Sequence, residues 1–167
     1  MKRKFADLEP FEAMHVAIFI EERNARIYEN FAQMFEEFND AETAEVAAVF
    51  REMAGTEREH GTKLQVLYWT YFRNQPCALT DVDVADVIEV PQLHDGEQFI
   101  CGGMTPRQAL EVALAAERQA RHYYTELAAL TMEAPVRGLY QELANFERDH
   151  EEFLERKLAT LPSRLRR

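Results

Sequence analysis

Glu57-Arg58-Glu59-His60 and Glu147-Arg148-Asp149-His150 are two copies of one pattern, a glutamate with a histidine three residues on. On an α-helix such residues share a face about one turn apart, so each pair can reach a common point. Each copy follows a phrase that opens on a lone glutamate. Glu22-Arg23-Asn24-Ala25-Arg26-Ile27-Tyr28 returns as Glu117-Arg118-Gln119-Ala120-Arg121-His122-Tyr123. Four carboxylates and two imidazoles from four helices form a donor set for two metal ions. Four carboxylates buried together cannot stay ionised uncompensated, and two divalent cations would neutralise them. Oxygen and imidazole donors without thiolate suit iron or manganese. Two iron ions, each giving one electron, match the two-electron reduction of dioxygen or peroxide.

The elements that carry these residues read as amphipathic helices. Met53, Glu57, His60, Leu64 and Leu67 form one stripe, and Leu143, Glu147, His150 and Leu154 form another. Leu110, Leu114, Glu117 and Ala120 make a third; Ile18, Glu22 and Ala25 are taken as the fourth. A single Glu-x-x-His on a charged helix is more often an exposed pair. Two matched copies set in apolar stripes are not explained that way. Arg58, Glu59, Arg148 and Asp149 are expected at solvent.

The expected helices run over about 10–38, 41–72, 105–132 and 135–160, within one domain spanning 1–167. Asn39-Asp40 marks the first turn, and Thr105-Pro106 gives an N-cap followed by proline at the first helical position. Residues 76–104 lack helical periodicity and read as a long crossover between two helical hairpins. The hairpins also match at Phe50/Tyr140, Glu52/Glu142, Met53/Leu143, Ala54/Ala144 and Leu64/Leu154, so an approximate two-fold axis is expected. The fold class is all-α, a four-helix bundle with one long crossover.

Composition narrows the function. With 47% hydrophobic residues the chain can bury a sizeable core, and its net charge of −11 argues against nucleic acid. No apolar run has transmembrane length, and Asp7, Glu9 and Glu12 interrupt any signal sequence after Met1-Lys2-Arg3-Lys4, so a cytoplasmic protein without a membrane partner is expected. Cys77 and Cys101 are in no Cys-x-x-Cys, which excludes a rubredoxin-type site; they read as reduced thiols, with a disulfide as the alternative.

The repeated phrases resemble the rubrerythrin and ferritin-like di-iron family over about 10–72 and 105–160, most closely at Glu22-Arg-Asn-Ala25-Arg26 and Glu57-Arg-Glu-His60. The resemblance implies a ferritin-like bundle holding two iron ions, with zinc or manganese as substitutes. Glu22 and His60 would serve one ion, Glu117 and His150 the other, and Glu57 and Glu147 would bridge both. It implies an oxidoreductase reacting ferrous iron with dioxygen or hydrogen peroxide, as ferroxidase or peroxide reductase. Alternatives are an iron-storage protein without sustained turnover, or a structural bundle with a vestigial site. Rubrerythrins typically carry a further ligating glutamate where this chain has Ala120. They also carry a rubredoxin domain, absent here, so turnover would require an external electron donor.

Other residues have two readings each. Tyr124, seven residues after Glu117, is a hydrogen-bond donor to a ligand carboxylate or a core tyrosine. Arg26 and Arg121 pair with the lone glutamates or form ordinary surface pairs, and Glu29 and Glu151 are spare carboxylates or solvated ones. His15 and His122 read as structural or exposed, and His94 has no assigned role. Tyr68, Trp69, Tyr71 and Phe72 are core beneath the crossover or a dimer interface; a homodimer is the expected assembly.

Overall fold

The computed structural model describes residues 8–38, 41–73, 75, 79 and 104–161. Cys77, His94, Cys101, nearly all of the crossover and the C-terminal arginines lie outside the described residues. Four helices make up the described architecture: α1 (Pro10–Glu36), α2 (Ala41–Phe72), α3 (Pro106–Leu130) and α4 (Ala134–Thr160). None is long and apolar enough to cross a membrane.

The helix starts follow from local chemistry. Proline begins both α1 and α3, where its missing N–H costs no helical bond. At α3, Gln108 N–H donates to Thr105 Oγ1 at 3.3 Å, and Thr105 N–H donates back to Gln108 Oε1 at 2.9 Å. At α1, Glu9 N–H donates to Glu12 Oε2 at 2.9 Å. Helix α3 stops at Leu130, earlier than the sequence suggests, because Thr131 turns to extended backbone while its N–H still reaches Leu127 O at 2.9 Å.

Helix α1 packs chiefly on α2 and α3 on α4; α1 then meets α3, and α2 meets α4, across the bundle. Two apolar clusters occupy opposite ends. Phe31, Phe35, Phe50, Leu110 and Leu154 belong to one, and Met14, Leu64, Leu127, Tyr140 and Leu143 to the other. Each fully buried Phe or Leu contributes roughly 1.5–3 kcal/mol. The two clusters hold the helices on either side of a polar middle layer whose buried charges oppose folding.

Candidate metal centre

The middle layer contains Glu21, Glu57, His60, Glu117, Glu147 and His150. All four carboxylates are 0% exposed; His60 is buried and His150 is 15% exposed at its side chain. Two groups emerge. Glu21, Glu57, His60 and Glu147 each bring one donor atom to within 4.8 Å of the others, and so do Glu57, Glu117, Glu147 and His150. Glu57 and Glu147 belong to both. Each imidazole turns Nδ1 inward: His60 Nδ1 lies 3.3 Å from Glu21 Oε2, and His150 Nδ1 lies 3.2 Å from Glu57 Oε1 and 3.4 Å from Glu117 Oε2.

Glu21 stands where the sequence reading put Glu22. Glu22 is exposed, and its Oε1 accepts from Gln65 Nε2 at 3.0 Å. Adjacent helical residues are about 100° apart, so both cannot face the core. The buried stripe of α1 is Met14, Ala17, Glu21, Asn24, Tyr28, Phe31 and Phe35, alternating steps of three and four. That of α3 is Leu110, Ala113, Glu117, Ala120, Tyr124 and Leu127. In this register Glu21 corresponds to Glu117, Tyr28 to Tyr124, and Pro10 to Pro106. The repeated phrase therefore aligns the two helices one residue out of structural register.

Tyr124 Oη donates to Glu21 Oε1 and Tyr28 Oη donates to Glu117 Oε1. Each tyrosine thus reaches across to the lone glutamate of the other hairpin, which requires α1 and α3 to run antiparallel. Beside Glu21, Tyr28 is a second residue that sequence reasoning missed. Its signal was its place seven residues after Glu21, hidden by the misaligned repeat.

The electrostatics are those of an overcrowded acidic site. Burial, then repulsion from Glu117 and Glu21, pushes Glu57 well above the ordinary carboxylate range. Burial, then Glu57 and Glu117, does the same to Glu147. Burial would also raise Glu117, but the closeness of Glu147 and His150 and the charge of His150 hold it low. Neither oxygen of Glu57 or of Glu147 accepts a well-directed hydrogen bond, although His150 Nδ1 approaches both side chains. Glu21 Oε2 and His60 Nδ1 likewise lack one. Buried polar atoms without partners are costly, and these carboxylate oxygens and this imidazole nitrogen are metal-donor types gathered in the two groups. The residues fit a pair of divalent cations.

Comparison with known proteins places this geometry. The family model described as Rubrerythrin matches residues 12–89 and 108–166. The chain belongs to the rubrerythrin family. A solved structure of an uncharacterised conserved protein from Magnetospirillum magnetotacticum is 26% identical with a TM-score of 0.71, covering 96% of this chain and 97% of that one. A hypothetical protein from Pyrococcus furiosus, 21% identical, shares the fold with a TM-score of 0.67 over 95% of this chain and 93% of its own. A search of curated proteins finds no match.

Within this rubrerythrin bundle the remaining candidates fall away from the centre. Ala120 corresponds to Asn24, not Ala25, so the positions three residues beyond the lone glutamates carry an amide and a methyl, and no further carboxylate. Asn24 is buried, with its Nδ2 unpartnered. Glu29 is held by Arg51 at 2.5 Å and Arg58 at 2.7 Å. Glu151 is buried rather than solvated, and Arg121 Nε lies 2.8 Å from it. His122 is exposed, and the His15 ring lies 6.3 Å from that of Tyr68. The aromatic group divides: Tyr68 and Phe72 pack against the core while Trp69 is 65% exposed.

Proposed function

We infer that this chain is a dinuclear iron protein that reacts ferrous iron with dioxygen or hydrogen peroxide. The observation that carries this reading is the sharing of Glu57 and Glu147 between two donor groups, with all four of their oxygens left without hydrogen bonds. Glu21 and His60 would complete one ion's protein ligands, and Glu117 and His150 the other's. When bound, paired iron supplies two electrons to one oxidant. The protein's part is to hold the acceptors in place. Tyr28 and Tyr124 fix the orientation of Glu117 and Glu21, and their hydroxyl protons are kept on by burial first and by the neighbouring carboxylates next.

Carboxylates placed so close must hold protons or be balanced by cations, and two divalent ions supply that balance. Net negative charge favours cation approach. Peroxide turnover requires electrons from an external donor. Metal analysis of protein from iron-replete cells, followed by stopped-flow mixing of the ferrous form with dioxygen and with peroxide, tests the reading. About two iron ions per chain and rapid oxidation are expected. One ion or fewer excludes the dinuclear reading. Two ions that oxidise once and do not cycle with reductant favour storage.

A further inference from the structure

The register set by Glu21/Glu117 and Glu57/Glu147 allows the outer walls of the two hairpins to be compared position by position. On α3–α4, Arg121 on one helix and Glu151 on the other pair at 2.8 Å, and Arg118 reaches Glu155 at 2.6 Å. The corresponding residues of α1–α2 are Ala25, Gly61, Glu22 and Gln65. Glu22 and Gln65 also meet, at 3.0 Å, so the outer pairing is kept. The inner pairing is replaced by a methyl group and a hydrogen. There the structure has a cleft of about 600 Å³ with Ala25 and Gly61 on its wall and Glu57 in its lining.

A cleft alone would be a packing defect. Glu57 in the lining of this one is 0% exposed, and neither of its carboxylate oxygens accepts a hydrogen bond. Glu57 therefore belongs both to the lining of the cleft and to the two donor groups of the centre. The cleft exceeds the roughly 180 Å³ occupied by six waters, the hydration shell of an octahedral cation. Its lining carries three carboxylates, Glu22, Glu29 and Glu57, against the guanidiniums of Arg26 and Arg58. Arg58 is already committed to Glu29 at 2.7 Å. On the other hairpin the position of Glu22 carries Arg118, so the rim there presents the opposite charge.

We propose that the α1–α2 cleft is the port through which divalent cations reach the centre, held open by Ala25 and Gly61, while the Arg121–Glu151 pair closes the matching path on α3–α4. This rests on the dinuclear reading above. A rival path is the exposed edge of His150. The ring of Phe146 covers His60 at 5.0 Å, whereas the corresponding residue near His150 is Thr56.

The test loads metal-free full-length protein with Co²⁺ alone and follows the rate of uptake by absorbance, the final stoichiometry, and the rate of loss to a chelator. The variant Ala25→Arg/Gly61→Glu copies the α3–α4 wall into α1–α2. A Cβ at Gly61 meets only the Glu21 Cβ, at 3.5 Å, an ordinary contact, so the backbone accepts the change. Uptake and release are expected to slow about tenfold or more, with two Co²⁺ still bound at the end. Thr56→Phe is expected to change neither rate. Arg121→Ala/Glu151→Gly, which opens the second wall, is expected to speed both, and gives a result even if the first variant folds poorly. Unchanged rates in both wall variants, or slowing by Thr56→Phe alone, overturn the port. Failure of the unaltered protein to bind two Co²⁺ instead overturns the dinuclear reading beneath it.

Discussion

Hairpin α1–α2 opens to solvent beside Glu57, whereas hairpin α3–α4 fills the matching positions with the ion pair of Arg121 and Glu151. The donor residues and their tyrosines nonetheless match between the hairpins: Glu21 with Glu117, Tyr28 with Tyr124, Glu57 with Glu147, His60 with His150. The contrast separates two demands on a duplicated helix pair. Side chains that share one buried charge set must balance it together, because a missing carboxylate or a missing tyrosine donor leaves a buried group uncompensated. Side chains one face over need only pack or meet water, and there the two copies are free to differ.

The hardest blow to this two-fold picture falls on the shared carboxylates. Glu57→Ala and Glu147→Ala are each expected to reduce bound metal from two ions to fewer than one per chain, because each removes a ligand from both groups. Glu21→Ala and Glu117→Ala should each weaken one ion, typically by about 10–100-fold or more, and leave the other. Metal equivalents after dialysis against a weak chelator read this directly. If Glu57→Ala kept one ion while Glu147→Ala kept none, the hairpins would contribute unequally to the bridge.

Metal removal comes next in size. Each ion held at a thousandfold excess over its Kd stabilises the native state by about 4 kcal/mol. At roughly 2–4 °C per kcal/mol for a chain of this length, stripping both, about 8 kcal/mol, should lower Tm by roughly 16–32 °C. Differential scanning calorimetry of loaded and stripped protein measures it. The sign with pH follows from the raised Glu57 and Glu147 carboxyls. Raised in this way, they keep protons to higher pH when no cation is present, so loading is expected to release protons and affinity to fall as pH falls. Calorimetric titration in buffers of different ionisation enthalpy counts the protons; an enthalpy independent of buffer would contradict this.

The tyrosines give a smaller and sharper comparison. Tyr28→Phe and Tyr124→Phe each delete one donor to a buried carboxylate, worth about 1.5–3 kcal/mol for a hydrogen bond to a charged group. Both substitutions keep the ring packing, including Tyr28 on Phe50 and Tyr124 on Tyr140. Denaturant unfolding of the loaded protein should show losses equal within about 0.5 kcal/mol if the centre is two-fold in energy as well as in arrangement. A clear inequality would assign the hairpins different strengths of support.

The all-helical class and the paired hairpins were legible because amphipathic stripes, prolines at helix starts and the Thr105 cap act locally. Five of the six clustering residues were legible because Glu-x-x-His fixes its own geometry, and because Glu117 has Leu114 one turn and Leu110 two turns behind it. Glu21 was not, because Glu21-Glu22 offers two carboxylates and the phrase repeat favoured the wrong one. Only the full stripe from Met14 to Phe35 decides between them. The cleft was not legible either. It arises from what Ala25 and Gly61 lack, and that has meaning only once Arg121 and Glu151 are seen pairing at the corresponding place.

The smallest expected effect is therefore the most exacting test of register. Glu22 and Glu21 are chemically identical and adjacent, so substitution isolates direction alone. Glu22→Gln removes an exposed charge whose contact is the Gln65 amide, and should change stability by no more than about 0.5 kcal/mol. Two ions should remain bound. Glu21→Gln, by contrast, takes an ionisable group from the buried set and should weaken one ion. If the pair behaved the other way round, the helix would have to be rotated by about 100°, carrying Tyr28 away from Glu117. The cross-bundle pairing of tyrosine with glutamate would then fail along with the port, since Ala25 would no longer face the cleft.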